Sequence, residues 1–92
     1  MKITSSKTKV EFTVEASYRA NLYFTNPDLD TKIIKLARKY KGYRTGAGMG
    51  FGYRDNGFAF RVEANRDKFV KALAKDKSLK VTKCFLSVYV DD

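Results

Sequence analysis

From Lys9 onward, apolar and polar residues alternate for longer than an ordinary strand requires. Val10, Phe12, Val14, Ala16, Tyr18, Ala20, Leu22 and Phe24 share one parity; Lys9, Glu11, Thr13, Glu15, Ser17, Arg19, Asn21, Tyr23 and Thr25 share the other. Successive side chains on a strand point to opposite faces, so the pattern predicts a strand with one buried and one open face. Run straight, such a strand would span roughly 55 Å at about 3.3 Å per residue, which predicts a bend or bulge near Ala16–Ser17. A hairpin with an odd loop would keep the same parity, but no Gly or Pro marks a turn there.

The period then changes. Asn26-Pro27-Asp28 reads as a helix start, with Asn as N-cap, Pro in the first turn and Asp against the dipole. Leu29, Ile33, Leu36, Ala37 and Tyr40 recur at helical spacing with Lys32, Lys35 and Lys39 opposite, and Gly42 reads as the stop. A strand from Tyr43 to Tyr53 follows. Asp55-Asn56-Gly57 reads as a tight hairpin turn, because Asn-Gly accepts positive φ. The next strand places Phe58, Phe60 and Val62 on one side, with Ala59, Arg61 and Glu63 on the other. A second helix opens at Asn65, burying Phe69, Val70 and Leu73. A last strand, Lys80 to Val90, turns Cys84, Leu86, Val88 and Val90 inward and Lys83, Phe85, Ser87 and Tyr89 outward. The order β-α-β-β-α-β with right-handed crossovers predicts an α+β, ferredoxin-like sandwich. Its antiparallel sheet has strand order 4-1-3-2, with both helices on one face. Met1–Thr8 reads as a polar tail and residues 9–92 as one domain.

Composition narrows the chemistry. Nineteen Lys and Arg against ten Asp and Glu give +9 on 92 residues, an excess that draws in polyanions whatever the fold. With no His and one Cys, imidazole chemistry and a Cys/His zinc site are excluded. The lone Cys84 and the lack of an apolar leader predict a reducing, cytoplasmic setting. No apolar run is long enough to cross a membrane. The carboxylates are scattered and no nucleophile has a nearby base, so the expectation is a protein that is not an enzyme and carries no cofactor or metal. Cys84 falls on an apolar parity and reads as a small core residue.

Two features bear on binding. Gly46, Gly48, Gly50 and Gly52 alternate along one strand, where interior glycine costs roughly 0.5–1 kcal/mol relative to alanine. Either a ligand or partner approaches a bare backbone there, or the strand is a curved edge or mobile hairpin. The run leads into a hairpin and not a helix, so it is neither a dinucleotide fingerprint nor a P-loop. The second feature is the open sheet face, which should present Arg19, Tyr23, Arg61, Lys83, Phe85 and Tyr89, with Arg44 and Arg54 on the glycine strand. Aromatics beside arginine can stack bases while neutralising phosphates.

Leu22-Tyr23-Phe24-Thr25-Asn26 resembles the first signature of the RNA recognition motif, an aliphatic-aromatic-aliphatic-x-Asn strand. Asn56-Gly57-Phe58-Ala59-Phe60 is similar to its second, basic-Gly-aromatic-small-aromatic, with Asn at the basic position. The resemblance spans roughly Asn21 to Val90 and implies single-stranded RNA binding on the sheet face. Tyr23 carries over, because its parity points outward. Phe58 and Phe60 do not, because placing them outward would bury Arg61 and Glu63.

The expected function is therefore a nucleic-acid-binding module, single-stranded RNA or DNA favoured. Its contact residues would be Arg19, Tyr23, Arg44, Gly48, Gly50, Arg54, Arg61, Lys83, Phe85 and Tyr89. The alternative is a small stand-alone interaction or inhibitor protein, such as viruses encode, that blocks an acidic or nucleic-acid-containing protein complex. An exposed strand could also pair two copies into a homodimer.

Overall fold

The computed structural model describes residues 9–20 and 26–91. Four antiparallel strands and two helices follow in the order β1 (Lys9–Arg19), α1 (Pro27–Lys39), β2 (Tyr43–Gly50), β3 (Tyr53–Phe60), α2 (Glu63–Lys75) and β4 (Val81–Asp91), with a 3₁₀ turn at Lys77–Leu79. The sheet order β2-β3-β1-β4 is the expected 4-1-3-2 read from the other edge. The α+β, ferredoxin-like arrangement is therefore present.

The core lies between the helices and one sheet face. Val14, Ala16 and Tyr18 of β1, Phe58 and Phe60 of β3, Ile33 and Ala37 of α1, and Phe69 and Leu73 of α2 are all buried. Phe69 sits between the two β3 rings, with centroids 5.2 Å from Phe58 and 5.3 Å from Phe60. Helix α1 starts as its sequence dictates: the Asn26 side chain accepts from the Leu29 N–H, Pro27 opens the first turn, and Asp28 and Asp30 face the positive end of the dipole. At its far end Lys41, not Gly42, takes the left-handed conformation (φ 67°). The Gly42 N–H returns to the Ala37 carbonyl, and a Cβ on Gly42 would collide with the Phe60 ring. Close packing, not the helix stop, requires that glycine.

The structure corrects several expectations. The β2–β3 turn lies at Phe51-Gly52, both with positive φ, and Asp55-Asn56-Gly57 runs through the middle of β3. Asn56 is fully buried, its amide N–H donating to Asp30 while its Oδ1 finds no partner among the described residues. That bond and the burial of both Phe rings outweigh the local turn preference. Strand β3 ends at Phe60, so Arg61, Val62 and Glu63 leave the sheet. Val62 is exposed at the N-cap of α2, which opens at Glu63 and not Asn65. Thr45 forms a bulge: Arg44 pairs with Phe58 and Gly46 with Gly57. Parity in β2 therefore switches, leaving Arg44 on the helix side and Gly46, Gly48 and Gly50 on the open side. The expected bend in β1 appears as a register shift at Ser17/Tyr18 against β4. Of the long first segment, residues 21–25 lie outside the described residues. Leu86, Val88 and Val90, expected inward, stand about half exposed. Among the described residues, no helix is long and apolar enough to cross a membrane.

Candidate functional site

Pairing across the sheet arranges the open face in rows. Gly50, Tyr53 and Arg19 form the first; Gly48, Asp55, Ser17 and Lys83 the second; Gly46, Gly57, Glu15 and Phe85 the third. Tyr43, Ala59, Thr13 and Ser87 follow, and Glu11 with Tyr89 ends the series. The edge away from β4 is almost bare: a Cβ added at Gly46, Gly48 or Gly50 would meet nothing within 4 Å. Those glycines answer to no packing demand among the described residues.

At the first three rows the face is concave. A hollow of about 490 Å³ is bounded by Glu15, Ser17, Tyr53, Asp55, Lys83 and Phe85. A second, of about 250 Å³, adjoins it through Glu15 and Asp55 and runs over Gly46, Gly48 and Gly57. Two cations flank the Tyr53 ring, with Lys83 Nζ 4.2 Å and the Arg19 guanidinium 5.8 Å from its centroid. Phe85 is 70% exposed beside it, and Phe51, held at φ 52°, is fully exposed at the turn. A non-glycine residue in that conformation is uncommon, and here it carries an unpacked aromatic ring to the rim of the hollow.

Acidic groups share this face. Ser17 Oγ donates to Asp55 Oδ1 at 2.6 Å, and Glu15 is exposed. The Tyr43 hydroxyl donates to the Glu11 carboxylate; that bond, with a little burial, pushes the phenol above its ordinary value, and the Arg61 charge opposes the shift. The face is thus aromatic and mixed in charge, not uniformly basic. Six lysines lie instead on the helix exteriors, at positions 32, 35, 39, 68, 71 and 75.

Of the expected contact residues, Arg19, Gly48, Gly50, Lys83, Phe85 and Tyr89 lie together on the open face. Arg61 is exposed just past β3, and Arg44 is exposed on the helix side. Tyr23 lies outside the described residues. Arg54 is misplaced by the sequence reading. It shares parity with Asn56 and Phe58 and turns under α1, where its guanidinium bridges Asp30 at 3.1 Å. Asp30 also accepts from Tyr18 at 2.7 Å and from Asn56 at 2.9 Å. Burial alone would raise the Asp30 pKa, but these donors together hold it below the ordinary carboxylate value. Sequence reasoning also missed Phe51 and Tyr53. The signal was present in Gly50-Phe51-Gly52, where an aromatic between glycines suits a turn better than a strand interior. Cys84 is half-buried against the core, and that burial pushes its thiol pKa up.

No family model and no curated protein sequence matches the chain. Among solved structures it is similar to the de novo designed protein Foldit4, at 10% identity and a TM-score of 0.51, covering 94% of this chain and 98% of that one. The likeness concerns the fold alone.

Proposed function

We propose that the open sheet face binds single-stranded nucleic acid. The observation that carries this reading is the cluster of Phe51, Phe85 and cation-flanked Tyr53 around a hollow whose far side is side-chain-free glycine backbone. Unpaired bases stack on such rings irrespective of sequence, at about 1–3 kcal/mol per base. Arg19 and Lys83 stand where they can meet phosphates. Glu15 and Asp55 offer acceptors to the amino groups of C, A or G, as carboxylates do at base edges. A duplex hides those base faces, so the preference is for single strands. The resemblance to the RNA recognition motif agrees in direction. Phe58 and Phe60 are buried here, so the stacking role passes to different rings.

The test is a fluorescence-anisotropy titration against single-stranded RNA, single-stranded DNA and a duplex at two salt concentrations. Single strands should bind more tightly, affinity should fall with salt, and Phe85→Ala or Tyr53→Ala should weaken binding by about 1–3 kcal/mol. Affinity unchanged by both substitutions would overturn the proposal.

A further inference from the structure

Strand β4 is an edge strand of eleven residues, and among the described residues no element lies along its outer side. Proteins commonly blunt such edges with charge, proline or a bulge, because the free N–H and C=O groups recruit another strand. Between Lys83 and Asp91 this edge has none of those devices: Phe85, Leu86, Val88, Tyr89 and Val90 are all exposed, on both faces of the strand.

We infer that β4 pairs antiparallel with β4 of a second copy, about a two-fold axis through Ser87. The segment Lys83-Cys84-Phe85-Leu86-Ser87-Val88-Tyr89-Val90-Asp91 is apolar or aromatic symmetrically about Ser87 and ends in opposite charges. In this register Phe85 faces the copy's Tyr89 on the open side, and Leu86 faces the copy's Val88 on the helix side. Cys84 faces Val90, and Lys83 stands at the register position of the copy's Asp91. Apolar residues therefore oppose apolar ones, aromatics oppose aromatics, and a basic residue opposes an acidic one at both ends. A slip of two residues in either direction removes the Lys–Asp pairing and sets a polar side chain against an aromatic one. That makes the register specific. The contact is self-complementary, as a closed two-fold dimer demands. The result is an eight-stranded sheet with both open faces on the same side, a conclusion independent of what that face binds.

Sedimentation equilibrium on the full chain, with native mass spectrometry, tests the inference. The parent protein should be a dimer in reversible equilibrium with monomer. Lys83→Glu and Asp91→Lys each set like charges against one another at both ends and should weaken self-association about tenfold. Mixed in equal amounts, the two variants should form a heterodimer about as tight as the parent, because each then meets its opposite charge twice. That recovery cannot arise from a folding defect. A parent that stays monomeric, one that grows into open-ended assemblies, or a mixture that fails to recover overturns the inference.

Discussion

Asp30 is the residue on which the most polar contacts converge. It lies on α1 yet accepts from Tyr18 on β1 and from Arg54 and Asn56 on β3, tying the helix to two strands with charge-assisted bonds. An amide in its place removes the counter-charge of Arg54 and leaves one acceptor oxygen facing three donor residues in a mostly dry site. Asp30→Asn should therefore cost about 3 kcal/mol at neutral pH. The Asp30 pKa is lower folded than unfolded, so the unfolded chain takes up its proton first. The contribution is complete above about pH 4, the unfolded value, and drains away as the pH falls through the lower folded one. Urea unfolding of both proteins should show a wide stability gap at neutral pH that narrows under acid. A gap constant across that range would mean that Asp30 is not held as a carboxylate.

At the scale of elements, what could be read ahead was what local chemistry alone decides. The parity of β1, the Asn26-Pro27 start of α1 and the order of elements needed no distant partner. The β2–β3 hairpin depended on one. Asn56-Gly57 is a good turn by itself, and it becomes strand only because Asp30, twenty-six residues away in sequence, supplies the acceptor that buries Asn56. Arg54 was assigned to the wrong face for the same reason, since an arginine on a buried parity makes sense only once its carboxylate is known. The Thr45 bulge had no prior signature, yet it brings the glycines to the open side. Those glycines give a prediction with two opposite signs. Gly48→Val and Gly50→Val enter open space, so each should stabilise the strand by about 0.5–1 kcal/mol. The same side chains would fill the floor of the hollow and should weaken nucleic-acid binding. A variant that melts higher and binds as before would show that the bare track is not a contact surface.

Over the whole molecule, charge and candidate contacts are on opposite sides. The exposed lysines of α1 and α2 supply much of the +9 excess, but the stacking rings lie across the sheet. Even the thinnest extent of the chain is 18 Å, and the Debye length is about 8 Å at physiological ionic strength and about 30 Å near 0.01 M. A strand bound to the sheet face should therefore scarcely sense the helix lysines in physiological salt, and should sense them well in dilute buffer. Replacing Lys68, Lys71 and Lys75 with Gln would then leave affinity within about twofold at physiological salt while slowing association several-fold at low salt. Arg19→Gln and Lys83→Gln, at the hollow itself, should weaken binding under both conditions. Stopped-flow association rates and equilibrium titrations at the two salt concentrations separate these cases. If the helix-lysine variant instead lost most of its affinity at physiological salt, the polyanion would be lying along α1 and α2. The rings around the hollow would then have no part in holding it.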